Sequence, residues 1–356
     1  KNNIVVVFQP HRYSRTKILF NEFISVLSKI TNLIILDTYS AGEKLIKGST
    51  SKDIYLKISK KNKNVIYIKN LNYLEKKLIK YTMTNNTIIF MGAGSISNIA
   101  KKYGLKGPTY SVSSACASSS HAITNAYNLI RFGEARVMLA GGSDAMLTFG
   151  GLKAWESLRV MSKTGCRPFC MTRDGLVQGE GAAIFVLEEY THASKRGANI
   201  LAEIKGCSMT SDGYDLVAPS NKGMENAISK SLSDAKISAD KIDYINAHGT
   251  GTKINDEMEA NVIYEFFSNK DNVPKVSSTK SGHGHVMGAT GAIELLSCIF
   301  ALRENVIVPT IGMVKQDPMI NIDLVCLEAQ EQKVEITMSN SFAFGGLNST
   351  IILKSV

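Results

Sequence analysis

Short apolar runs at Val5–Phe8, Leu33–Leu36, Val65–Ile68 and Ile88–Met91 have the length and β-branched character of buried strands. Between them, Lys17–Ile30, Ser51–Lys60 and Leu71–Tyr81 carry apolar residues at helical spacing. Strand alternating with helix predicts a parallel, Rossmann-like sheet over the first hundred or so residues. A turn-rich junction, Gly104–Thr109, follows. Beyond it the alternation resumes with a strand over 109–115, a helix opened by Cys116 and running to about Phe132, and strands at Val137–Gly142 and Ala182–Glu188. A helix Tyr190–Arg196, a strand Leu201–Cys207, a helix Gly223–Asp234 and a strand Lys241–Ala247 come next. Helices at Asn255–Phe267 and Ala289–Leu302 precede a glycine loop between strands at Asn340–Asn348. The whole chain reads as α/β.

Charge separates the two stretches. Residues 1–103 hold 18 Lys/Arg and 5 Asp/Glu, while the remainder holds 23 and 26. The basicity therefore belongs to one segment. Its lysines alternate with Asn and Ile without aromatic interleaving, which points to a solvated surface and not to nucleic acid. No apolar run approaches the length of a membrane span, and no membrane partner is expected. The start at Lys1, directly on a strand and without a signal peptide, reads as a fragment. The six cysteines show neither disulfide nor zinc spacing, so a reducing cytoplasm is the expected compartment and no metal is expected.

Candidate chemistry lies in a few polar stretches. In Tyr110–His121 a cysteine, Cys116, opens a helical segment among small residues. A helix N-terminus favours thiolate over thiol there, and small neighbours leave room for a substrate. The same residues also suit a small buried cysteine. His248 follows a strand and leads into a glycine-containing loop. Lys280, His283 and His285 share one turn before a glycine- and alanine-rich helix. Phe342 and Phe344 belong to a glycine loop; His248 could equally be a loop histidine capping a helix, His283 and His285 a chance pair or a metal half-site without further ligands, and the two phenylalanines core residues beside a tight turn. Cysteine and two histidines, each after strand-like residues, form the pattern of a strand-end active site. In the first stretch, His11, Arg12 and Arg15 fall at the carboxyl end of the first strand, where open α/β sheets bind ligands and arginines suit a carboxylate or phosphate; two solvent-facing arginines capping a loop are the alternative. Gly92-Ala-Gly94 is half a dinucleotide fingerprint or a tight turn.

Two resemblances follow from these residues. FQPHRYSRT (8–16), DTYSAGEKLIKG (37–48) and MGAGSI (91–96) resemble the C-terminal domain of UDP-N-acetylmuramate–L-alanine ligase, a Mur ligase of peptidoglycan synthesis. The resemblance implies a cleft facing His11, Arg12 and Arg15. No phosphate-binding loop of the GKxxTT type occurs, so no ligase activity is expected. SACASSSHAI (114–123), RPFCMTRDGLVQGEGA (167–182), HGTGT (248–252), KSGHGHVMGATGAIE (280–294) and NSFAFGGLN (340–348) resemble, in family order, an elongating β-ketoacyl-acyl-carrier-protein synthase of the thiolase fold. The combined expectation is an incomplete thiolase-like double βαβαβ domain over 104–356, halves 104–190 and 191–356, preceded by a Rossmann-like Mur ligase C-terminal domain over 1–103.

The second resemblance implies decarboxylative Claisen condensation through acyl-Cys116. His248 and His285 would stabilise the enolate, and Lys280 would support His285 and the cleft. The N–H groups of Cys116 and Phe344 would form the oxyanion hole, with Gly345 and Gly346 allowing close backbone approach. Glu294 corresponds to a buried partner of the lysine, Asp256 and Glu259 to acidic residues on one helix face, and Thr250 and Thr252 to contacts of the pantetheine arm. Phe344 corresponds to a gating phenylalanine, and Phe342 to a substrate-binding one. No cofactor is implied beyond the phosphopantetheine of acyl carrier protein, the expected partner. A homodimer through Thr109–Ser114 is expected if that edge is uncovered. His283, Ala343 and Leu347 depart from the usual family residues, and His283 resembles a nodulation-type branch. The first strands of the thiolase-like half are expected to be absent, with the ligase-like segment in their place.

Overall fold

The computed structural model describes residues 4–70, 73–74, 77–78, 87–92 and 107–356. The chain divides into two compact units, residues 1–109 and 110–356.

In the first unit, strands β1 (Ile4–Gln9), β2 (Asn32–Leu36), β3 (Val65–Ile68) and β4 (Thr87–Gly92) form a parallel sheet in the order β3-β2-β1-β4. Their apolar runs are unbroken because both faces of the sheet are covered. Val5, Val7, Ile34 and Leu36 pack on one side with Leu74 and Leu78. Val6, Phe8, Leu33 and Ile35 pack on the other with Leu27, Ile54 and Ile58. The helical pattern expected over Lys17–Ile30 forms two helices, α1 (Tyr13–Ile18) and α2 (Phe20–Leu27), interrupted at Leu19. Helix α3 (Ser51–Ile58) starts at a capping box in which Thr50 and Asp53 satisfy each other's backbone N–H groups. Ala93 and Gly94 of the Gly92–Gly94 turn, residues 104–106 of the expected junction and much of the expected Leu71–Tyr81 helix lie outside the described residues.

The second unit repeats one device. A turn carrying Cys116 leads into helix α4 (Ser118–Arg131) and then strand β5 (Val137–Ala145). Helix α5 (Phe149–Ser157) and strand β6 (Glu180–Glu188) complete this part, β6 pairing antiparallel with β5. After the short helix α6 (Tyr190–Lys195) come strand β7 (Glu203–Ser211), helix α7 (Asn221–Ala235), strand β8 (Tyr244–Asn246), helix α8 (Lys253–Phe267) and strand β9 (Lys275–Ser277). A one-turn helix, α9 (Lys280–His283), and the turn carrying His285 lead into helix α10 (Thr290–Glu304). A two-residue pair, β10 (Val306–Ile307) and β11 (Gln330–Glu331), precedes the hairpin β12 (Ile336–Ala343) and β13 (Leu347–Lys354). The main sheet has the order β7-β13-β12-β8-β9.

Helices α4 and α10 pack together between the two antiparallel strand pairs. Ile123 and Ala126 meet Ala292, Leu295 and Cys298, with Ala140 and Ala183 from one pair and Ile351 and Leu353 from the other. The contact is close at Gly291, where a Cβ would lie 1.9 Å from Ser120 Oγ. The Ser119 hydroxyl accepts from the Ala292 N–H at 3.0 Å, and Ser120 Oγ lies 2.8 Å from Ser341 Oγ. The opposite face of the main sheet is covered by α7 and α8 through Met224, Ile228, Ile263 and Phe267.

Two expectations for the start of this unit need correction. No strand forms over 109–115: residues 108–113 are irregular and mostly exposed. A β-branched run becomes a strand only when another strand takes its hydrogen bonds, and none does so among the described residues. The helix opens at Ser118, two residues after Cys116.

Candidate active site

Cys116 sits on a tight turn. Ala115 holds a left-handed backbone, φ +47°, which costs a non-glycine residue energy and needs local support. Ser118 supplies it: its hydroxyl donates to the Ala115 carbonyl at 2.6 Å and accepts from the Ser114 N–H at 2.9 Å. Cys116 is buried and packs with Ala117, Ala343 and Leu347. Burial pushes its thiol up to about 11, against smaller opposing effects of Lys280 and of the Phe344 and Cys116 N–H groups. The thiolate expected from a helix N-terminus is therefore corrected to a thiol, because desolvation outweighs the dipole. Both N–H groups thus reach the Cys116 sulfur. Beyond Phe344 the chain turns through Gly345 and Gly346, at φ +79° and +67°; a Cβ on Gly346 would lie 1.9 Å from Asp212 Oδ1.

The two histidines come from β8 and from the turn before α10. Their rings meet edge to face with centroids 5.6 Å apart, and Phe342 lies 6.3 Å from His248. Both are buried, and both are pushed well below the ordinary histidine range, by burial first and Lys280 second. They are neutral near pH 7. Their tautomers follow from their neighbours. The Lys280 ammonium lies 3.4 Å from His248 Nδ1 and has only protons to offer. The Met287 N–H donates to His285 Nδ1 at 3.2 Å. Each Nδ1 is thus an acceptor, which leaves the proton of each ring on Nε2.

Lys280 is fully buried and pairs with Glu294, itself buried and pushed up to about 7 by desolvation. The ammonium also donates to the His248 carbonyl. Its direct partner is thus His248, while it reaches His285 only through its field. Glu259 accepts from the His248 and Gly249 N–H groups at 2.8 and 2.7 Å. Asp256, one turn earlier on α8, accepts from Phe169 N–H at 2.9 Å and Gly251 N–H at 3.2 Å. Burial raises Glu259 to about 7 and Asp256 to about 6. These carboxylates shape the His248 loop. Thr250 and Thr252 hydroxyls lie 2.8 Å apart at its far side.

Residues 57–193 match the model of the β-ketoacyl synthase N-terminal domain, and residues 201–314 match that of the C-terminal domain. A β-ketoacyl synthase from Burkholderia phymatum STM815 is similar over all of this chain and 76% of its own, at 30% identity and a TM-score of 0.67. The chain belongs to the β-ketoacyl synthase family. Nodulation protein E of Rhizobium sp. (strain N33) is 45% identical over 266 residues, 75% of this chain and 66% of that protein. The 3-oxoacyl-[acyl-carrier-protein] synthase 2 of Coxiella burnetii is 41% identical over 277 residues, 76% of this chain and 66% of that protein. A type II polyketide ketosynthase solved in complex with its acyl-carrier protein has a TM-score of 0.71 at 26% identity, covering all of this chain and 78% of that one. The chain thus spans about 66% of the length of the curated relatives it matches.

The synthase match reaches back to residue 57, inside the segment expected to be ligase-like, and the Mur ligase resemblance finds no support in these matches. In that first unit His11 stacks on Tyr39 with centroids 5.5 Å apart, and Arg12, mostly exposed, lies 4.0 Å from Glu43. Arg15, exposed on α1, acts on His11 only by charge.

Several contributors in the synthase unit escaped the motif reading. Trp155 of α5 stacks on Phe344 at 5.8 Å. Arg173 is buried, 4.0 Å from Asp256, and pairs with Asp317. Asn246 donates to Thr279 Oγ1 at 3.2 Å, and that hydroxyl lies 3.0 Å from His283 Nε2. His283, pushed down to about 4 by burial, therefore belongs to the scaffold of the turn. Arg173, inside RPFCMTRDG, and His283, in the turn before α10, stood in motifs already noted, whereas nothing in the sequence marked Trp155.

No helix among the described residues is long and apolar enough to cross a membrane.

Proposed function

We propose that this chain performs decarboxylative Claisen condensation of an acyl thioester with a malonyl thioester, both presented by acyl carrier protein. The observation that carries the reading is the pair of buried neutral imidazoles, each with Nδ1 engaged, together with a buried cysteine on which the charge of the same Lys280 acts.

Cys116 Sγ attacks the acyl carbonyl. The carrier's C–S bond breaks, and the proton of Cys116 ends on the departing carrier thiolate, so the exchange needs no net base. The N–H groups of Cys116 and Phe344 stabilise the tetrahedral oxyanion. The malonyl thioester then loses carbon dioxide. The electron pair of the broken C–C bond enters an enolate whose oxygen accepts from Nε2–H of His248 and His285. Neutral donors suit this step because they hold the developing charge without transferring a proton away from the ring. The enolate carbon attacks the acyl carbonyl, the Cys116 Sγ–C bond breaks, and the sulfur recovers a proton from solvent. The product is a β-ketoacyl thioester on the carrier.

The elongating role fits the similarity to 3-oxoacyl-[acyl-carrier-protein] synthase 2, and the acyl chain length is left to experiment. Carrier binding is proposed from the complex seen for the polyketide relative, and Thr250 and Thr252 are proposed to contact the pantetheine arm. A homodimer is retained as an expectation, without a paired 109–114 strand to form it. The division into a ligase-like unit over 1–103 and a synthase over 104–356 rests on motifs alone, and no activity is assigned to the first unit.

The test is intact-mass measurement after incubation with acyl-carrier protein. One acyl adduct per chain, absent in Cys116→Ala, is the expected result. Carrier binding with no adduct on the wild type would make the chain a binding module instead.

A further inference from the structure

Thr290 is the first residue of α10 and is buried. Its Oγ1 lies 2.9 Å from His285 Nδ1. The Met287 N–H reaches the same nitrogen at 3.2 Å, and a backbone N–H can only donate. Nδ1 therefore carries a lone pair, and the Thr290 hydroxyl must be a donor to it. The two donors share one nitrogen from two sides of the turn, which fixes both the tautomer and the rotation of the ring. His248 has a different arrangement, with Lys280 as the neighbour of its Nδ1. A charged donor acts on one imidazole and two neutral donors on the other.

We propose that Thr290 is a positioning residue for condensation: its hydroxyl, acting with the Met287 N–H, holds His285 with Nδ1 as acceptor and Nε2–H free for the enolate. The assignment rests on the condensing function proposed above. The hydroxyl acts through His285 and touches no substrate. It carries most weight in decarboxylation, where the Nε2–H bond to oxygen strengthens as charge develops. Acyl transfer to Cys116 depends on the Cys116 and Phe344 N–H groups and is affected less.

Thr290→Val keeps the shape of the side chain and removes the donor, while Thr290→Ser keeps the donor. The valine variant should lose about tenfold in kcat for condensation, the size of one hydrogen bond used in the transition state. Its KM for malonyl carrier should stay within about twofold, and the serine variant should recover most of the rate. A second readout needs no turnover. In ¹⁵N-histidine-labelled full chain, the Nδ1 resonance of His285, assigned by its loss in His285→Gln, should move in the valine variant toward an imidazole nitrogen with fewer donors. The serine variant should leave it in place. An unchanged resonance in the valine variant overturns the proposal, as does an equal loss of kcat in both variants. A wild-type chain without condensing activity would refute the functional reading, and the resonance would still decide what Thr290 does.

Discussion

The two antiparallel strand pairs of the second unit, β5–β6 and β12–β13, have similar leads and different surroundings. Each follows a helix led by a reactive side chain: Cys116 before α4 and β5–β6, His285 before α10 and β12–β13. Leu139 pairs with Val186 in the first, and Met338 pairs with Ile352 at the same step in the second. Met338 and Ile352 are fully buried under α7 and α8. Leu139 and Val186 are 43% and 41% exposed. Among the described residues β5 and β6 pair only with each other, whereas β12 and β13 sit inside a five-stranded sheet. The inner faces of both strand pairs pack on the same two helices. Hence the turns carrying Cys116 and His285 are held by the shared α4–α10 layer, and the outer layer differs without disturbing them.

The largest effect that sharpens this contrast is on stability. Ile352→Ala should cost about 2–5 kcal/mol in denaturant unfolding, since it empties a buried site under α7. A loss below about 1 kcal/mol would mean that this layer is not a packed core. An intermediate effect concerns the Cys116 turn. With a thiol near 11, alkylation by iodoacetamide should rise about tenfold per pH unit from pH 7 to 9. A rate already at its plateau at pH 7 would restore the thiolate that helix position alone suggested. The smallest effect is expected at the matching outer position: Val186→Ala should change stability by about 1 kcal/mol or less. A cost equal to that of Ile352→Ala would mean that the first strand pair is covered after all.

Much of the fold was legible because its apolar runs are doubly covered. β1, β2 and β3 of the first unit are short unbroken runs, and that pattern arises only when both faces of a parallel sheet are buried. The reactive residues were legible because Cys116, His248 and His285 are rare types in glycine-rich surroundings. What was not legible depends on partners distant in sequence. Residues 109–113 have strand-like composition and, among the described residues, no strand to pair with. Helix α5 has no buried residue and carries Gly150 and Gly151, so neither periodicity nor propensity marks it. The thiol state of Cys116 follows from burial, which spacing does not reveal. Lys280 stands five residues before His285 and yet bonds to His248, 32 positions away. Thr290 looks like an ordinary helix start until its distance to Nδ1 is known.

The central claim is that His248 and His285, as neutral donors, carry the step after acylation. The direct measurement is a single turnover. Wild type and His285→Ala are first acylated on Cys116, then mixed with malonyl carrier, and the loss of the adduct is followed by intact mass. The wild type should discharge the adduct with release of carbon dioxide. His285→Ala should load normally and discharge about 10²–10³-fold more slowly, the usual cost of one lost oxyanion donor. Equal discharge rates in the two proteins, or a wild-type adduct that malonyl carrier never clears, would contradict the account.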